Sequence, residues 1–349
     1  MRCLLLASVL TVFGASAYAQ PAAAQTAIVT GNGNFFSPIV HDLDKAVAFY
    51  RDGLGLETQG EPGNADKNDA LRNMFGLPNA KIRWMIARPG GMRQGVEIVE
   101  ISGAGGKPLE RRPQDSGAFT LIVFVRDIDA TLARVKAQGA PVVSAGGAPA
   151  VLPNGAGHTA RMVVVKDPDG HFVEIVQPDE PPKTEAPATS NVVDVRVRLT
   201  VEDVEKSVRL YHDALGMEIT NTPAFASNAT VGAALGVGKD AQFRFGMMKM
   251  PTTGLVFEVM DYKGVDRKTV RGDLKDTGST RFQMQVRDID AAVAAFTKAG
   301  GTFVSTGGKP LELPVPTGAM RVGIVREPDN LFVVLIQAPP AAATPAPAK

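Results

Sequence analysis

The chain says nearly the same thing twice. Asp42 to Tyr50 reads Asp-Leu-Asp-Lys-Ala-Val-Ala-Phe-Tyr, and Asp203 to Tyr211 reads Asp-Val-Glu-Lys-Ser-Val-Arg-Leu-Tyr. Arg51 to Glu57 matches His212 to Glu218, and Val-Arg-Asp-Ile-Asp occurs both at Val125 and at Val286. Lys-Asp-Pro-Asp-Gly at Lys166 returns as Arg-Glu-Pro-Asp-Asn at Arg326. All four pairs are offset by 160 or 161 residues. A constant offset over separated landmarks requires two homologous units in tandem, and 349 residues is room for two domains.

Each unit divides again. In the first, residues 35–40 read as a strand, and Asp42 caps a helix that stops near Gly53. Residues 81–87 and 96–101 read as a hairpin around Pro89, Gly90 and Gly91. The order then recurs: strand 119–125, helix 127–138, strands at 142–143 and 161–165, a turn at Asp167-Pro168-Asp169-Gly170, and a last strand 172–177. The second unit reads the same way. This predicts an α+β chain of four βαβββ modules, with domain 1 at 33–178 and domain 2 at 191–338. The Pro-rich stretch 179–190 reads as an extended linker, and 339–349 as a disordered Pro/Ala tail.

The N-terminus reads as a separate element. Arg2 precedes an apolar run from Leu4 to Phe13, and Ala17-Tyr18-Ala19 fits a small-x-small cleavage site. This is the pattern of a secretory signal peptide, residues 1–19, cut near Ala19. It points to a periplasmic or secreted protein. The single cysteine, Cys3, lies within that segment, so disulfides, thiolate ligands and cysteine nucleophiles are excluded from a mature chain. A net charge of +1 gives no reason to expect nucleic acid or an anionic membrane as partner. A small molecule is the expected partner.

A strand followed by Asp-Leu-Asp-x-Ala-x-x-Phe-Tyr-x-x-x-Leu-Gly-Leu resembles the first module of the vicinal oxygen chelate superfamily (glyoxalase, bleomycin resistance protein, dihydroxybiphenyl dioxygenase). A strand with Val-Arg-Asp-Ile-Asp, and later Asp-Pro-Asp-Gly-x-x-x-Glu, resembles its second module. The resemblance implies that modules pair within each domain into a half-open cup, helices outside and the site inside. It also implies four metal-ligand positions per cup, usually His, Gln or Glu.

Transferred residue by residue, those positions in domain 1 fall on Phe35, Glu100, Thr120 and Glu174. In domain 2 they fall on Arg196, Glu258, Arg281 and Val334. A phenyl ring cannot coordinate an ion, and guanidinium groups repel one. No cofactor is therefore expected; a divalent metal at Glu100 and Glu174 is the alternative. Neither set supplies the two His and one carboxylate of an extradiol dioxygenase. Alternation along the strands adds Ser37, Ile39, Ile122 and Phe124 to the first cup, and sets Arg196 beside Arg198 and Arg281 beside Gln283 in the second.

Three readings follow. The first is a small-molecule binding protein with its ligand in the domain 1 cup. The second is a metal-independent lyase or isomerase using Glu100 and Glu174 as an acid–base pair. The third is a divergent metal-dependent glyoxalase-like lyase. Arg83 and Arg161 recur as Arg244 and Arg321, which fits either a substrate clamp or an inherited scaffold pair. Arg196, Glu258 and Arg281 form either an anion-binding surface or an internal ion network. His158, in a Gly-rich loop, is a further catalytic candidate.

Overall fold

The computed structural model describes residues 27–154, 157–316 and 318–339. The expected signal peptide, and all of the expected tail beyond Pro339, lie outside these residues. Twelve strands carry the four modules: β1 Ser37–Val40, β2 Lys81–Arg88 and β3 Val96–Ser102 in module 1; β4 Phe119–Val125, β5 Thr159–Lys166 and β6 Phe172–Pro178 in module 2. Module 3 has β7 Val192–Thr200, β8 Gln242–Lys249 and β9 Val256–Lys263, and module 4 has β10 Thr280–Val286, β11 Gly318–Arg326 and β12 Phe332–Gln337. Shorter strands extend the edges.

The helices are α1 Leu43–Ala48, α2 Asp69–Met74, α3 Ile128–Ala137, α4 Val204–Val208, α5 Ala229–Ala234 and α6 Ile289–Lys298. The four that follow a first strand start alike. Asp42, Asp127, Asp203 and Asp288 each accept a backbone N–H from the first turn, as a cap should. Both α1 and α4 run on into a π-helical turn, Phe49–Gly53 and Arg209–Ala214. The short helices α2 and α5 were not legible as helices, although Asn68 and Asn228 cap them in the same manner.

The α+β class and the four modules are as read, but the pairing of modules is not. Two sheets form. In one, β11, β12 and β10 of module 4 continue into β1, β3 and β2 of module 1. In the other, β8, β9 and β7 of module 3 continue into β4, β6 and β5 of module 2. The domain 1 and domain 2 cups expected from modules 1 with 2 and 3 with 4 are thus replaced by a 1/4 cup and a 2/3 cup. The physical reason is plain in the 2/3 seam. Residues 179–190 deliver β7 antiparallel to β4, from Val192 opposite Val125 to Leu199 opposite Phe119. Modules 2 and 3 are as adjacent in sequence as modules 1 and 2, so repetition alone does not choose between them.

The 1/4 seam is looser. Only Pro38 and Ser37 pair with Thr280 and Arg281, and Val29–Asn32 takes over the rest of β10. At the crossover Gly33 leaves room for a side chain to pass; a Cβ there would lie 2.3 Å from Gln283 Oε1. That oxygen accepts the Asn34 N–H at 2.9 Å. Consequently the first strand begins at Ser37 rather than Phe35.

The inner faces of the two sheets, with α1, α3, α4 and α6, share one apolar core. Phe36 stacks on Phe119 at 5.5 Å, and Phe119 meets Phe257 and Phe282 at 6.1 and 6.3 Å, so one aromatic residue from each module meets at the centre. All four are almost fully buried; each contributes roughly 1.5–3 kcal/mol of transfer free energy. The opposite sheet faces form the cups. Each is roofed by a short helix tied down by a serine: Ser305 Oγ donates to Met74 O of α2, and Ser144 Oγ donates to Ala234 O of α5. No helix among the described residues is long and apolar enough to cross a membrane.

Candidate functional site

The 2/3 cup gathers residues that the linear reading divided between two domains. Glu174 lies on β6 beside Ile122 of β4, and β4 lies against β7, where Arg198 faces Thr120 and Arg196 faces Ile122. Glu258 on β9 is the parallel neighbour of Arg198. Strand alternation puts all of these side chains on one face. Arg198 sits between the carboxylates: its Nη1 donates to Glu174 Oε2 at 2.7 Å and its Nε to Glu258 Oε2 at 2.8 Å. Burial works against the Arg198 charge, but Glu174 and Glu258 outweigh it and hold the guanidinium above its ordinary pKa.

Arg196 is bound differently. Its guanidinium lies over the Phe124 ring at 4.7 Å, and its nearest anion, Glu258 Oε1, is 3.8 Å away. Its Nε is buried and has no hydrogen-bond partner among the described residues. These groups line a cavity of about 260 Å³ with apolar walls of Ile122, Phe124, Leu152 and Met162. Glu180 and Pro182, from the linker, border it. Arg198 is matched by Glu174 and Glu258, Glu180 adds a third carboxylate at the rim, and Arg196 keeps hydrogen-bonding capacity spare.

The 1/4 cup has its own polar cluster. Glu97 Oε2 accepts from Arg281 Nη2 at 2.8 Å, Gln283 Nε2 at 3.0 Å and Ser37 Oγ at 3.3 Å. Arg281 is buried over the Phe75 ring at 4.5 Å, and burial lowers its pKa despite Glu97. Around it, Met74, Phe75, Ile39, Val99 and Val334 belong to one apolar cluster that fills the cup.

Several expected assignments are corrected by this geometry. Glu100 and Glu174 do not share a cup, because they lie on different sheets. Glu100 instead faces the helices: its Oε2 accepts the Leu43 N–H at 3.0 Å, at the start of α1, and lies 3.5 Å from Arg83. Its counterpart Asp261 does the same for Val204 and Arg244. The true counterpart of Glu258 is Glu97, also 161 residues earlier, and that offset was the signal that would have found it. Phe35 is buried in the apolar core, and Ser37 occupies the cup position intended for it.

Arg83 and Arg161 are not in a cup either. Arg161 makes a two-pronged pair with Asp129 in the first turn of α3, repeated by Arg321 and Asp290 on α6. They are scaffold pairs. His158 is half-exposed on its loop, 3.4 Å from both Asp179 and Glu180, at the rim of the 2/3 cup. Thr120, Phe124, Glu174, Arg196 and Glu258 are brought together, and Arg281 stands alone in the other cup.

The donor chemistry can be set against the superfamily's metal. In the 2/3 cup the four ligand positions hold Thr120, Glu174, Arg196 and Glu258, with Arg198 already bridging the carboxylates. In the 1/4 cup Ser37, the counterpart of Arg198, faces the site with Glu97, Arg281 and Val334, while Phe35, the counterpart of Arg196, lies in the core. Among the described residues no group of three or more His, Cys, Asp or Glu comes together in a metal-binding cluster. A divalent ion beside these guanidiniums would be repelled, so the residues present do not fit it.

Among curated proteins, no significant match was found. Among solved structures, a mutant of glyoxalase I from Zea mays is similar with a TM-score of 0.57 and 16% identity, covering 87% of this chain and 93% of that one. Glyoxalase I from Zea mays itself matches with a TM-score of 0.55 and 17% identity, covering 87% and 92%. At such identities the likeness is one of fold. The family model for the Glyoxalase/Bleomycin resistance protein/Dioxygenase superfamily matches residues 34–175 and again 195–331. With most of its length accounted for by two copies of that family, the chain belongs to the glyoxalase/bleomycin resistance protein/dioxygenase superfamily.

Proposed function

We propose that this chain binds a small organic molecule with an anionic or oxygen-rich head, without the superfamily's usual divalent metal, in the 2/3 cup. The observation that carries this reading is Arg196. It is a cation held flat on Phe124, with a buried Nε lacking a partner among the described residues, at the wall of a cavity of about 260 Å³, which admits only a small molecule. The Arg196 side chain is 33% exposed, and a carboxylate in the cavity would accept from its terminal nitrogens. The apolar walls then cover the body of the ligand, and Arg198, locked between Glu174 and Glu258, keeps the floor rigid. The 1/4 cup, packed by its own side chains, serves as scaffold in this reading. The chain works outside the cytoplasm, its signal peptide removed near Ala19; N-terminal sequencing of the periplasmic protein would then begin at Gln20.

The test is calorimetric titration of the purified protein with benzoate as probe, with and without EDTA. Wild type should bind in both conditions, and Arg196→Met should bind about tenfold more weakly or worse. Binding abolished by EDTA would overturn the metal-free reading. Equal affinity in Arg196→Met, or no binding by wild type of benzoate or of a panel of small carboxylates, would overturn the site.

A further inference from the structure

The two halves of the molecule differ on the helix side, where no family ligand site is expected. In the first half α3 closes on the π-helical turn after α1. Gly53 permits this, since a Cβ there would lie 3.1 Å from Val135 Cγ1, and Arg134 Nε donates to Gly53 O at 3.1 Å. By the repeat offset, Gly53 corresponds to Ala214, Arg134 to Ala295 and Gln138 to Ala299. The second half therefore has a methyl where close approach needs none, and two short side chains where the bridging ones stood. The result is a groove of about 990 Å³ between α4 with its π-helical turn and α6, lined by Ala214, Ala295 and Ala299 and by Glu327.

The floor of that groove lacks a charge its counterpart has. In the first half Asp167 is buried with a full set of partners: Tyr50 donates to it at 3.0 Å, and His171 Nδ1 lies 3.0 Å away. In the second half the corresponding residues are Glu327, Tyr211 and Leu331. Leucine supplies no positive charge. Glu327 is 2% exposed, and its carboxylate is held by backbone N–H groups, those of Leu331 and Asp329, with no side chain donating to it among the described residues. The Tyr211 hydroxyl is buried without a partner among them. Burial, with Asp329 adding to it, pushes the Glu327 carboxyl well above its ordinary pKa, and the weaker attraction of Arg271 does not offset them. The neighbouring Asp329 is not short of partners, since it accepts from Ser116 Oγ and from the Glu202 N–H.

We propose that this groove is a second ligand site, taking a small organic amine whose ammonium group pairs with Glu327. An ammonium there supplies the cation that His171 supplies in the other half, and the alanine walls accommodate a small apolar body.

The experiment titrates the whole protein with benzylamine, and separately with imidazole as the group missing from position 331. Wild type should bind benzylamine. Glu327→Gln, which keeps the shape and removes the charge, should bind about tenfold more weakly. Ala295→Arg, which restores the bridging residue of the first half, should fill the groove and abolish binding. Arg196→Met should leave benzylamine binding unchanged, separating this site from the 2/3 cup. Failure of wild type to bind either probe, or equal binding by Glu327→Gln, would overturn the proposal; retained benzoate binding by Glu327→Gln would show that variant to be folded.

Discussion

Arg198 has two carboxylates within 2.8 Å, and both are nearly buried. Buried ions of this kind are tolerated as a set, because the attraction between them offsets their lost hydration; removing one member leaves the others uncompensated. Arg198→Met should therefore lower the unfolding free energy in urea by about 3–5 kcal/mol. Adding Glu174→Gln and Glu258→Gln to it should recover most of that loss. A loss below about 1 kcal/mol would mean that the trio behaves as a solvated surface pair. A second buried set gives a pH signature. Burial alone would lower the His171 pKa, but the Asp167 carboxylate outweighs it and raises the imidazole above 6.5. A group raised on folding stabilises fully below its unfolded value and loses that contribution as pH rises through its folded value. Asp167, depressed by the imidazolium despite its burial, stabilises above 3.8 and loses its share as pH falls through its lower folded value. The urea midpoint of wild type should thus fall as pH rises above 6.5, and His171→Leu should be less stable and should lose less with rising pH. At this scale the sequence singled out Thr120, Phe124, Glu174, Arg196 and Glu258, which share one cup, but it divided them between two domains. It misled at Glu100, because two acidic residues three apart sit on opposite faces of β3, and choosing between them required the repeat offset.

At the scale of elements, the four long-strand and capped-helix starts were readable because their signals are local. An Asp before an amphipathic run caps wherever it occurs. Glu100 adds to α1 what a cap does, accepting the Leu43 N–H from the adjacent strand. Glu100→Gln should cost about 0.5–2 kcal/mol of stability by urea denaturation and leave benzoate affinity unchanged. Glu174→Gln should change benzoate affinity, since it releases one side of Arg198 next to the cavity. If Glu100→Gln shifts benzoate affinity and Glu174→Gln does not, the assignment of faces on β3 and β6 is wrong. The helices α2 and α5 escaped because six residues give too little periodicity to read. Their function is tertiary, to roof a cup, and Ser144 and Ser305, which fasten them, lie 90 and 231 residues away from their partners.

At the scale of the molecule, the unit of sequence repetition is not the unit of folding. Domain 1 as the repeat defines it contributes β1, β2 and β3 to one sheet and β4, β5 and β6 to the other. A fragment of residues 33–185 would expose the edge of β4 where β7 belongs, with seven residue pairs unmade, and the edge of β1 where β10 belongs. It would also uncover Phe119, two of whose aromatic neighbours, Phe257 and Phe282, come from the second half. Open strand edges beside an apolar face recruit another chain. Expressed alone, the fragment should run as a dimer or larger species by sedimentation, using its own modules in place of the absent ones. Mixed with a fragment of residues 186–339, it should form a one-to-one complex that recovers benzoate binding, because only the complex contains both β6 with Glu174 and β7 with Arg196. A monomeric 33–185 fragment that unfolds cooperatively would instead place modules 1 and 2 in a single self-sufficient cup, as the order of the sequence first suggests.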